Sequence, residues 1–140
     1  MIDPRGPRFA AWITTFVLAA VLITGNAYLL AAQAVVFALG AAGRNPYALF
    51  WKHGLPRLGV HRTPPAELEP ATPPRFAQAV GLVFALVALV GFAAGATVVG
   101  LLATGAALAA AFLNAAFGIC LGCEMYLLVK RTTNREGATA

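Results

Sequence analysis

From Thr97 to Val129 the chain runs for 33 residues with one charged side chain, Glu124. As a single helix that run would extend ~50 Å, whereas the hydrocarbon core of a bilayer is roughly 30 Å thick. It is too apolar for the surface of a soluble domain and too long for one straight span. The run is therefore expected to kink or break between Asn114 and Gly118, or to lay its last third along the membrane interface. Three further apolar stretches precede it: Phe9–Thr24, Ala27–Ala42 and Phe76–Ala94. The first two have 16 residues each, just short of the roughly 17 that a span requires. They are expected to extend through Thr24-Gly25-Asn26 or to thin the bilayer around them.

Composition supports the same environment. Of 140 residues, 60% are hydrophobic and 11% charged, with a mean hydropathy of +0.78. A soluble domain carries about 45–50% apolar and about 25% charged residues, and one of this size has too little interior to bury the excess. The stretches are rich in Ala and Leu and lack a period of two, which makes membrane strands a poor alternative. All nine prolines lie outside them, as uninterrupted helices in lipid require. The expected fold is an all-α integral membrane protein of one domain. Its four transmembrane helices form two tandem hairpins, with spans near 9–24, 27–42, 76–94 and 97–117. A loop over 43–75 and a C-terminal helix near 115–131 complete the chain.

The net charge of +5 does not point to nucleic acid, because the basic residues form no folded basic face. They mark topology instead. All ten lie in the N-terminal tail (Arg5, Arg8), the middle segment (Arg44, Lys52, Arg57, Arg62, Arg75) or the C-terminal tail (Lys130, Arg131, Arg135). The short turns near Gly25-Asn26 and Gly95-Ala96 carry none. By the positive-inside rule both termini and the long loop of this multi-pass protein face the cytoplasm. If the protein is a structural or accessory subunit, the basic loop docks on anionic lipid.

Pro7-Arg8-Phe9-Ala10 recurs as Pro74-Arg75-Phe76-Ala77, each copy ahead of an apolar hairpin. The first apolar run has the basic start of a secretory leader, but its internal counterpart favours a structural helix and a parallel repeat. Within the loop, Pro46 to Leu55 predicts a short interfacial helix with Tyr47, Phe50 and Trp51 toward the membrane. His53 and His61 are expected to be solvated. Gly91 with Gly95, Gly118 with Gly122, and Ala107 with Ala111 have the four-residue spacing that permits close helix approach, within the chain or in a homo-oligomer. Gln33, Gln78 and Asn114 are the polar side chains in or beside the spans, and interhelical hydrogen bonding is their expected role.

The one motif that carries chemistry is Cys120-Leu121-Gly122-Cys123, which contains the only two cysteines of the chain. One helical turn brings such a pair into disulfide range. A first thiol at a helix N-terminus has a depressed pKa, and Gly118 or Asn114 as a break point would place Cys120 there. Cys120, Cys123 and the neighbouring Glu124 are the candidate catalytic residues. Two thiolates are half of a zinc set, so no metal is expected unless a dimer brings four, and no cofactor site is seen. Inert packing of small apolar cysteines is the competing reading.

The stretch from Asn114 to Cys123, with Asp3-Pro4-Arg5, Arg8-Phe9 and Pro74-Arg75-Phe76-Ala77-Gln78, resembles an uncharacterised bacterial membrane family, domain-of-unknown-function family 4395. The resemblance covers nearly the whole chain and implies an inner-membrane protein of unassigned activity. The cysteine motif also looks like those of membrane thiol oxidoreductases of the disulfide-bond-forming and vitamin K epoxide reductase types. Those carry further cysteines and a pair at the oxidising face, so a direct equivalent is not expected. Two functions follow. One is thiol or sulfur handling with a thioredoxin-like or sulfurtransferase partner in the cytoplasm. The other is a non-catalytic accessory subunit with the cysteines as packing.

Overall fold

The computed structural model describes residues 5–54, 57, 59 and 72–139, and among these every regular element is helical. Helix α1 covers Arg5–Thr24 and α2 covers Ala27–Ala41. Between them Gly25 adopts φ +66°, which only glycine takes without strain. Asn26 then caps α2, its side-chain oxygen accepting the N–H groups of Tyr28 and Leu29 at 2.9 and 3.3 Å. After Gly43, Asn45 caps α3 (Pro46–Leu49) in the same way, and α3 widens into a single π-turn over Phe50–Gly54. Helix α4 is Thr72–Ala93, α5 is Thr97–Phe117 and α6 is Leu121–Thr139. The expected helix end at Leu55, as well as His61, Arg62 and the proline-rich half of the loop, lies outside the described residues.

Three helical stretches are long and apolar enough to cross a membrane: Gly6–Thr24, Pro74–Ala93 and Thr97–Phe117. Helix α2 is short, and reaches that standard only together with Pro46–Gly54, to which it is bent by 72°. Helices α1, α2, α4 and α5 form a closed antiparallel ring in which α1 packs on α5 and α2 on α4. The core is small and close-packed, with Leu18, Val21, Leu30 and Phe37 fitted around Ala85, Ala88, Ala103 and Ala107. Large apolar side chains such as Phe16, Ile23, Val83, Val90 and Leu102 stand on the outside. A surface of this kind suits lipid tails, where burying apolar area between helices gains little and close packing decides the assembly.

Spacing alone mispredicts where the small residues act. Gly91 does bring α4 against α5, since a Cβ there would lie 2.9 Å from the Gly100 nitrogen. Its partner Gly95 is instead the hairpin turn, with φ +81°. Gly122 brings α6 onto Ala77 of α4, where a Cβ would stand 2.6 Å from the Ala77 Cα, whereas Gly118 ends α5. Each glycine pair divides its labour between a contact and a turn. Tyr47 also differs from the expectation, because its hydroxyl donates to Oε1 of buried Gln33 at 2.8 Å and so points into the bundle. Phe50 stacks on Phe9 at 6.3 Å, and Trp51 lies over Gly6.

The Pro-Arg-Phe-Ala recurrence has a structural counterpart. Arg8, at the start of α1, donates to the carbonyl of Ala115 near the end of α5 at 3.2 Å. Arg75, at the start of α4, donates to the carbonyl of Ala41 at the end of α2 at 3.1 Å. Each arginine thus closes the last turn of the other hairpin, where unpaired carbonyls and the negative end of the dipole favour a cation. Each closed helix is followed by a left-handed glycine, Gly43 at φ +85° and Gly118 at φ +71°. Two residues beyond each glycine a side chain caps a new helix: Asn45 for α3 and Cys120 for α6. Each new helix then packs at the start of its own hairpin, through Phe9–Phe50 in one half and Phe76–Tyr126 in the other.

A candidate thiol site at the start of the last helix

Helix α5 stops because Gly118 turns left-handed, with its N–H bound to the Asn114 carbonyl at 3.1 Å and that of Ile119 to the Leu113 carbonyl at 3.2 Å. This break at 118–120 divides the 33-residue apolar run, and α6 begins at Leu121. Cys120 is the residue immediately before it. Its carbonyl accepts the Glu124 N–H at 3.0 Å, while its Sγ accepts the Cys123 N–H at 3.1 Å. Those two bonds define a helix N-cap, with sulfur in the place usually held by Ser, Thr, Asp or Asn.

Cys123 lies one turn into α6, its Cα 5.1 Å from that of Cys120, and the two sulfurs are joined as a disulfide. Both residues are partly open to the surroundings, and Ile119 and Leu121 beside them are exposed. The amide that faces Sγ of Cys120 lies at the positive end of the α6 dipole. Cys123 lies past the cap, inside the first turn of α6. The pair is therefore asymmetric in placement: one sulfur caps the helix and the other lies one turn in. Glu124 follows Cys123 in the first turn of α6 and is exposed. All three sequence-predicted site residues are thus gathered into the first turn of α6.

Two contacts fix the turn in space. The close approach of Gly122 to Ala77, with the Phe76 and Tyr126 rings 5.7 Å apart, holds α6 against the start of α4. From the other side comes Arg8, whose Cζ lies 4.0 Å from where a Cβ on Gly118 would stand. Sequence reasoning had not assigned Arg8 to the site. The signal was the repeated Pro-Arg-Phe-Ala, but which carbonyl each arginine closes depends on the pairing of α1 with α5, which local sequence does not encode.

The remaining polar candidates lie elsewhere. Gln33 is buried between α1 and α2, donating weakly to Thr14 Oγ1 at 3.5 Å and accepting from Tyr47. Burial holds the Tyr47 phenol above the ordinary tyrosine range, so it stays a neutral donor in this loop helix. Gln78 lies over Gly40, its Oε1 buried without a hydrogen-bond partner among the described residues. The Asn114 carbonyl serves the α5 cap, and His53 is exposed in the π-turn.

What these features define is a small helical protein with an apolar exterior and one cysteine pair at a helix start. Its sequence matches the family described as Domain of unknown function (DUF4395) over residues 2–131, and the chain belongs to that family. No curated protein and no solved structure matches it.

Proposed function

We propose that the protein is a membrane-embedded thiol- or sulfur-handling protein. In this reading Cys120 and Cys123 exchange with a thioredoxin-like or sulfurtransferase partner at the cytoplasmic face of the bacterial inner membrane. The observation that carries it is the N-cap position of the Cys120 sulfur, with its partner cysteine one turn further on. Ten basic residues in the tails and long loop, against none in the two short turns, support four spans with both termini and the cysteine end inside.

In the exchange, the Cys120 thiolate attacks one sulfur of a partner disulfide, and the partner's other sulfur leaves as a thiolate and takes a proton. The Cys123 thiolate then attacks the Cys120 sulfur of the mixed disulfide, closing the internal disulfide and releasing the second partner thiolate. Two electrons pass to the partner, which becomes a dithiol, while this protein is oxidised. Run backwards, the oxidised pair accepts two electrons from a partner dithiol. Attack on a partner persulfide would move its outer sulfur to Cys120 and release the partner's thiolate. Glu124 is proposed to carry the proton to or from the Cys120 sulfur.

The close fit of Gly122 on Ala77 favours a second reading, in which the motif is packing and the protein is a non-catalytic accessory subunit. Glutathione disulfide separates the two. With reduced, purified full-length protein, Cys123→Ser should accumulate one glutathionyl group on Cys120, measured by intact mass. Cys120→Ser should react at least tenfold more slowly. Equal rates, or no adduct in either variant until denaturant is added, would leave the accessory reading in place.

A further inference from the structure

Arg8 belongs to the part of the molecule that surrounds the cysteine turn. It enters from α1, 112 positions before Cys120 in the sequence, and its guanidinium donates to the Ala115 carbonyl while standing beside Gly118. Gly118 is two residues from the N-cap sulfur. The end of α5 and the left-handed turn thus meet at one cation, shortly before α6 begins at Leu121. Helix α5 carries no charged residue of its own. Among the described side chains on the elements around the turn, the charged groups are Arg8 on α1, Arg75 on α4, and Glu124, Lys130 and Arg131 on α6. Arg75 is engaged at the far hairpin, on Ala41 and beside Gly43. Lys130 and Arg131 lie two to three turns further along α6. That leaves Arg8 as the cation beside the turn.

We propose that Arg8 is the positioning residue of the cysteine site: it holds the Gly118 turn closed so that Cys120 caps α6, and it sets the poise of the pair through its charge. This rests on the thiol reading above. The physical basis is that a cation beside the turn stabilises the Cys120 thiolate, hence the dithiol form, and makes the disulfide more oxidising. Arg8 is largely exposed, so water weakens its field and the effect is modest in size. The internal repeat supplies the control. Arg75 makes the same kind of contact at the end of α2, where the cap that follows is Asn45 and no sulfur is present.

The test uses full-length protein in lipid nanodiscs, equilibrated with glutathione buffers and, after reduction, alkylated across a range of pH. Arg8→Gln should lower the equilibrium constant for oxidising glutathione about fivefold, or ~20 mV at about 30 mV per tenfold for a two-electron couple. It should move the alkylation profile of Cys120 to higher pH, about threefold slower at neutrality. Arg8→Lys should stay within about twofold of the wild type. Arg75→Gln should leave both readouts at the wild-type value, even where it costs as much thermal stability as Arg8→Gln. If Arg8→Gln does not fold, Arg8→Met keeps the apolar stem and serves in its place. Wild-type values in the neutral Arg8 variant, or an equal shift in Arg75→Gln, would overturn the role of Arg8. A wild-type pair that resists both glutathione and alkylation until denatured would overturn the thiol reading itself, and the role of Arg8 with it.

Discussion

Gly118 and Cys120 make the cysteine turn jointly. A left-handed glycine ends α5, and two residues later a sulfur accepts the amide of Cys123. Any L-residue pays roughly 1–2 kcal/mol in the left-handed region. Gly118→Ala should therefore lower stability by about that amount in thermal unfolding. It should also slow alkylation of Cys120 in the reduced protein, because the chain can relax by moving the sulfur off the cap. Gly43→Ala meets the same backbone penalty at φ +85° but is followed by Asn45, not cysteine. Its unfolding temperature should fall similarly with no change in thiol reactivity. If both variants alter reactivity equally, the link between this turn and the sulfur is wrong.

Among its described side chains α6 buries none fully, and its seat on α4 depends on one missing side chain. A Cβ at position 122 would come within 2.6 Å of the Ala77 Cα, a backbone atom that cannot swing aside. Gly122→Leu should push α6 off α4 and release the Phe76–Tyr126 contact, worth about 0.5–1.5 kcal/mol. Spin labels on α4 and α6 should then report a longer and broader distance, while the α1–α2–α4–α5 ring keeps its helicity. An unchanged distance would place the holding force elsewhere. Much of the helical character was legible in the apolar runs and in the placement of every proline outside them. The cysteine cap was legible too, because Gly118 precedes Cys120 by the two residues that a left-handed cap and an N-cap occupy. Tyr47 was not legible: an aromatic residue beside a span reads as an interfacial anchor until a buried amide such as Gln33 is seen to need its hydroxyl. Gly95 and Gly118 were legible as a turn and a break point, but the contacts made by Gly91 and Gly122 could not be told from them by spacing. A glycine at a turn and a glycine at a contact look alike in sequence.

For the whole molecule, the arrangement is two hairpins that close each other's ends. Arg8 and Arg75 reach across, and each half then adds a capped helix that returns to its own first helix. The repeat was visible in Pro-Arg-Phe-Ala, but the exchange of partners was not, since long-range pairing leaves no local mark. In the second half the capping residue is a cysteine with a second cysteine one turn on, and the chemistry proposed for the protein depends on that difference. The arginines and the cysteine turn share one end of the ring, opposite the uncharged turns at Gly25 and Gly95. The proposed orientation therefore requires a thiol that is reached from the cytoplasm alone. Alkylation of mildly reduced protein by a membrane-impermeant maleimide, in vesicles of known sidedness, measures this directly. The expected result is modification of Cys120 ahead of Cys123 in inside-out vesicles and protection of both in right-side-out vesicles. Labelling from the outer face, or none in either vesicle type until detergent is added, would contradict it.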